Sequence, residues 1–137
     1  DADSGELKVF DRSSGVDLVH AVAASCAVPL VWPAVEIEGR HYIDGGARSS
    51  ANADLAKGCE AVLVIAPLPR SVSRYHGLSS QLARTGARHT TVITPNADAL
   101  RAIGKNVLDP AKRVDAAKAG YAQADQVAAE AATGWVG

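Results

Sequence analysis

The run Ala61-Val62-Leu63-Val64-Ile65-Ala66 narrows the possible folds of this chain more than any other stretch. Six consecutive apolar residues, half of them β-branched, form the short unbroken pattern of a strand covered on both faces. Beyond it, helix and strand patterns alternate. Ser79 to Arg84 reads as a helix, Thr90 to Thr94 as a strand, and Pro95 to Ile103 as a helix with proline in its first turn and Gly104 past its end. A last long helix opens at Asp109-Pro110 and reaches about Ala132, with Val114, Ala117, Tyr121, Ala124 and Ala128 as its packing stripe. Strands alternating with helices predict a parallel sheet and an α/β class.

The first half of the chain reads differently. A turn over Asp1 to Gly5 leads into a strand from Glu6 to Phe10, although no strand precedes that turn. Val16 to Ala27 has helical spacing with apolar residues on both sides, which predicts a helix buried over most of its surface, His20 included. Pro29 ends it. Pro29-Leu30-Val31-Trp32-Pro33 is an apolar loop between prolines, suited either to filling the core or to lining a pocket. Val35 to Glu38 and Arg40 to Asp44 then form a hairpin turning at Gly39, and Asn52 to Lys57 a short helix closed by Gly58.

Length and composition exclude several classes. With 137 residues, 47% of them hydrophobic, the chain can bury a core in one domain. A net charge of −1 gives no reason to expect nucleic acid as a partner. Cys26 and Cys59 stand far apart in apolar surroundings, outside any CxxC, and read as small core residues; no metal and no cofactor is expected. No signal peptide or membrane span is visible, so a soluble, cytoplasmic protein is expected.

Chemistry concentrates at His41-Tyr42-Ile43-Asp44-Gly45-Gly46. A strand that ends on a carboxylate followed by two residues without Cβ lets a ligand or another backbone approach the acid closely. Asp-Gly is also a common turn dipeptide, so the tripeptide alone does not decide between turn and catalytic acid. Strand alternation turns His41 and Ile43 to one face and Tyr42 and Asp44 to the other, which argues against a His41–Asp44 pair. No GxSxG nucleophile motif is present; Gly77-Leu78-Ser79-Ser80-Gln81 comes nearest and lacks the second glycine. GxGxxG and GxxxxGK[ST] are absent as well. Between Ala61 and Ala97 lie Arg70, Arg74, Arg84 and Arg88 and no acidic residue, which reads as a solvated surface or as one that attracts anions.

Taken together, Ala24-Ser25-Cys26-Ala27-Val28-Pro29, Trp32-Pro33-Ala34-Val35 and Gly39 to Gly46 resemble the second half of a patatin-like phospholipase. Val92 to Pro95, Leu108 to Pro110 and Ala119 to Tyr121 are similar to the tail of bacterial members. The resemblance implies a three-layer α/β/α sandwich, present in part, with residues 1–137 as the C-terminal portion of one acyl hydrolase domain. It implies Ser-Asp dyad ester hydrolysis with Asp44 as base, Gly45 and Gly46 shaping the site, and a lipid or ester as substrate. Leu30 and Trp32 are then candidates for the wall of an acyl pocket. The family's glycine-rich oxyanion loop and GxSxG serine do not occur in this sequence. The chain alone is therefore expected to be inactive, to need the N-terminal half of its domain, and at most to touch a membrane surface transiently. Beyond Gly46 the sequence leaves the family pattern: Ala47-Arg48-Ser49-Ser50-Ala51-Asn52 stands where an Asn-Pro pair is common. A non-catalytic α/β binding or scaffold module is the alternative.

Overall fold

A computed structural model of the protein describes residues 1–68 and 77–132. Arg70, Arg74 and His76 lie outside the described residues. The described chain forms two units, one built on Asp1–Asn52 and the other on residues 53–68 and 79–132. Both helices and strands occur, and the chain is mixed α/β.

In the first unit, Asp17 starts helix α1, Leu18–Ser25, by accepting a hydrogen bond from the Val19 amide at 2.9 Å. Strands β1, Val35–Ile37, and β2, Arg40–Tyr42, pair antiparallel, with Val35 opposite Tyr42 and Ile37 opposite Arg40. Two residues join them, Glu38 and Gly39, with φ of 53° and 75°. Two successive positive φ values match the twist of paired strands, and glycine adopts one without strain. Ala24, Ile37 and Tyr42 form the core, with Phe10, Val16 and Val35 packed around them. Tyr42 meets Phe10 edge-on, ring centroids 5.0 Å apart.

Three expectations fail in this unit. Glu6 to Phe10 is not a strand, since no described strand lies beside it to supply the ladder. Helix α1 is not buried on most sides: Ala24 is buried, whereas Leu18, Val19 and Val22 are 75%, 73% and 52% exposed. Apolar residues on both sides predict burial all round, but the helix buries one side, with Ala24 in the core beside Ile37 and Tyr42. Its His20 is accordingly exposed, 3.5 Å from the Asp17 carboxylate, and Cys26, expected in the core, is exposed too.

The second unit opens with a 3-10 turn at Ala53–Ala56 and continues with strand β3, Ala61–Ile65, helix α2, Leu78–Thr85, and strand β4, His89–Ile93. Strands β3 and β4 run parallel, Ala61 beside His89 through Ile65 beside Ile93, as the alternation of elements predicts. Asn96 caps helix α3, Ala97–Ile103, which stops at Gly104 with φ 75°. After Asp109 and a 3-10 turn at Pro110–Lys112 comes helix α4, Arg113–Ala132, packed on α3 and β4.

Here the elements match the expectation and their faces do not. Strand β3 is not fully covered on both faces: Val62 and Val64 are buried, Ala61 and Leu63 are half-buried, and Ile65 is 69% exposed. The expected stripe of α4 faces outward, with Val114 56% and Tyr121 82% exposed and Ala117, Ala124 and Ala128 exposed as well. The covered line is instead Ala116, Ala119, Gln123 and Val127. Gln123 is on it because its amide joins two strands of chain, accepting from the Asn96 amide at 3.0 Å and donating to the Thr94 carbonyl at 2.7 Å. Cys59, expected in the core, is exposed.

Candidate active site

The site is built outward from Tyr42. Its buried ring, braced by Phe10, fixes the end of β2 in the core, and the strand stops there, two residues before Asp44. The Asp44 amide then donates to the Ala27 carbonyl at 3.0 Å, which joins the carboxylate's backbone to the segment just past α1. Ala27 is buried, so this joint lies inside the unit. Gly45–Ala47 comes next as a single 3-10 turn with Asp44 as its cap.

The Asp44 carboxylate folds over that turn. Its Oδ1 accepts the Gly46 amide at 2.5 Å. Among the described residues Oδ2 has no hydrogen-bond donor, and no histidine lies at ion-pair distance from the carboxylate. Gly46 is required by this closure: a Cβ there would stand 2.7 Å from Asp44 Oδ1, inside contact distance. At Gly45 a Cβ would meet only Asn52 Nδ2, at an ordinary 3.6 Å.

Beneath the carboxylate lies a group of polar residues that sequence reasoning missed. The Gly45 carbonyl accepts from the amides of Arg48 (3.2 Å) and Ser49 (3.3 Å) and from Asn52 Nδ2 (3.0 Å). Asn52 Nδ2 also donates to the Ser49 carbonyl at 3.0 Å, and its Oδ1 accepts from Arg48 Nη1 at 2.8 Å. The buried Ser49 Oγ accepts the amides of Ala51 and Asn52 at 3.3 and 3.2 Å. Asn52 has φ 48°, a conformation that asparagine tolerates better than most residues. The available signal was Ser49-x-x-Asn52 in a loop between short helical turns, a spacing at which both side chains can bond local backbone.

Other expected residues lie elsewhere. His41 is exposed at the hairpin. Alternation from β2 does not reach Asp44, because the strand has already ended; capping, not strand parity, aims the carboxylate. In the proline-bracketed loop, the Val28 carbonyl accepts the amides of Val31 and Trp32 at 3.0 and 2.9 Å, tying the loop to the residue after Ala27. Leu30 is fully exposed with φ 69°, and Trp32 is 61% exposed, so neither fills the core. Ser79 is exposed on α2 beside a shallow depression of about 400 Å³ lined by Leu82, Ala83, Gly86, Ala87 and Thr90. Among the described residues its hydroxyl is bonded to no base. Arg88 pairs with Glu60 at 3.4 Å, and Arg84 is exposed. Among the described residues no three His, Cys, Asp or Glu side chains gather as a metal would need, and no helix is long and apolar enough to cross a membrane.

Residues 2–57 match the family model of patatin-like phospholipases. The matched segment contains α1, the hairpin, Asp44 and the whole turn through Asn52, and it ends before β3. Val92 to Pro95 and the later stretches that resemble bacterial members therefore fall outside it. No curated protein and no solved structure matches the chain.

Proposed function

We propose that this chain carries the base half of a patatin-like serine acyl hydrolase. In this reading the domain is a three-layer α/β/α sandwich, and a serine outside these 137 residues attacks the ester carbonyl of a lipid. Asp44 takes the serine proton as the carbon–oxygen bond forms, and returns a proton to the leaving alcohol when the tetrahedral intermediate collapses. Water then repeats the cycle on the acyl-enzyme. The observation that carries this is the state of the carboxylate: Oδ1 is held by the Gly46 amide, while Oδ2 has no donor among the described residues. One oxygen fixes direction and the other is left to accept a proton. That this arrangement lies within the segment matching the phospholipase family supports it further.

Leu30 and Trp32 wall the acyl chain. Their exposure, on a loop hydrogen-bonded to the residue after Ala27 while Ala27 itself holds Asp44, supports this role. The bare face of α1 and the exposed Ile65 of β3 support the need for further chain to complete the domain, and contact with a membrane surface would be transient. A cytoplasmic location is part of the same reading. A scaffold module is the second reading, favoured by the lack of GxSxG in this sequence.

Treating the full-length protein with a fluorophosphonate probe and mapping the adduct separates the two. Covalent labelling of one serine, with steady hydrolysis of p-nitrophenyl esters, is the result expected of the enzyme. No labelling and no hydrolysis by pure full-length protein would leave the scaffold.

A further inference from the structure

We infer that Asn52 is a positioning residue for Asp44, acting through the peptide group between Gly45 and Gly46. The inference rests on the reading of Asp44 as the base. A peptide group is planar, with its carbonyl oxygen and N–H on opposite sides, so fixing one fixes the direction of the other. Here the two ends of one such plane are in use at once. The N–H of Gly46 donates to Asp44 Oδ1, and the carbonyl of Gly45 accepts the Asn52 amide at 3.0 Å. Rotation of that plane would carry the N–H away from the carboxylate, and Asn52 opposes it from the far side.

Two backbone amides, of Arg48 and Ser49, reach the same oxygen at 3.2 and 3.3 Å, longer than the side-chain bond. Those amides belong to the turn itself and move with it. The Asn52 side chain is held in turn by its own amide on Ser49 Oγ and by Arg48 Nη1 on its Oδ1. It therefore braces the plane from the far end of the loop, through a side-chain bond added to the turn's own backbone bonds. Donation to the carbonyl also polarises the peptide, which strengthens the N–H as a donor to the carboxylate. The side chain must be an amide. A carboxylate of the same shape could keep Arg48 but would set an acceptor against the Gly45 and Ser49 carbonyls.

The test uses full-length enzyme carrying Asn52→Asp, Asn52→Gly or, as the control for the base, Asp44→Asn. Glycine keeps the positive φ of residue 52 without adding a repelling charge, so it guards against a folding effect peculiar to aspartate. Both Asn52 variants are expected to lower kcat about tenfold, the scale of one hydrogen bond, with KM within about twofold. With selective 15N-glycine labelling, the Gly46 amide resonance is expected to move upfield in both, as its bond to the carboxylate lengthens. Wild-type kcat in both variants beside an inactive Asp44→Asn would overturn the role of Asn52 alone. So would a fall in kcat with an unmoved Gly46 resonance, or one matched by an equal rise in KM. Retained turnover in Asp44→Asn would remove the base reading, and the inference with it.

Discussion

Two loops meet at Ala27, and they are held by opposite means. The turn from Asp44 to Asn52 is dense with polar contacts: its carbonyls and amides are met by one another, by Ser49 Oγ and by the Asn52 amide. Among the described residues the loop from Val28 to Pro33 has three backbone bonds, from the Val28 amide to the Cys26 carbonyl and from the Val31 and Trp32 amides to the Val28 carbonyl, and it turns large apolar side chains outward. Prolines at both ends stiffen it without donors. The difference comes from what each presents. A carboxylate has a direction to keep, and only hydrogen bonds fix direction. On the proposed reading an apolar acyl chain asks for area, which exposed leucine and tryptophan would supply without orientation.

The comparison breaks most readily at Gly46. Gly46→Ala puts a Cβ 2.7 Å from Asp44 Oδ1, so the carboxylate must swing off its amide. In full-length enzyme kcat is expected to fall about 100-fold, or ~2.7 kcal/mol, because a misaimed base loses most of its contribution. Activity within fivefold of wild type would mean that the carboxylate works without the Gly46 bond. Trp32→Ala tests the other loop, with a smaller and graded effect. Each methylene that leaves the wall costs ~0.8 kcal/mol, so long-chain esters should suffer and acetate should not. The melting temperature should hardly change, since the ring is 61% exposed. Uniform losses across chain lengths would remove Trp32 from the pocket. His41→Ala is expected to be smallest, within about twofold in kcat/KM, because the side chain is exposed on the hairpin and surface changes of this kind cost little. A loss approaching that of Gly46→Ala, with cooperative melting retained, would bring the histidine into the chemistry.

The same contrast explains what could be read from the residues. The hairpin was legible because Gly39 marks a turn that needs positive φ. Helix α3 was legible from Gly104, although its proline stands before the Asn96 cap and not in the first turn. Faces were not legible where small apolar residues occur all round. In α4, alanines lie on both sides, and the buried line is selected by Gln123, whose amide meets an otherwise open amide and carbonyl in the chain before α3. Gln81, fully buried, does the same for the Ala53 amide at 2.8 Å. Hydrophobic periodicity carries no trace of such needs. For the same reason Asp44 was found and Asn52 was not: the acid stands out beside two glycines, while its support is set by which backbone oxygen the fold brings near.

The most direct measurement is steady-state turnover of full-length enzyme carrying Asp44→Asn, on an ester with a good leaving group, beside its thermal unfolding. The amide keeps the shape of the carboxylate and can still accept the Gly46 bond through its oxygen, but it cannot take a proton from serine. The account predicts a loss of kcat of about a thousandfold or more, within the range of general-base catalysis, with a melting temperature close to wild type. Retention of a tenth or more of wild-type turnover in the folded variant would contradict it: Asp44 would be a turn residue, and the base would lie elsewhere.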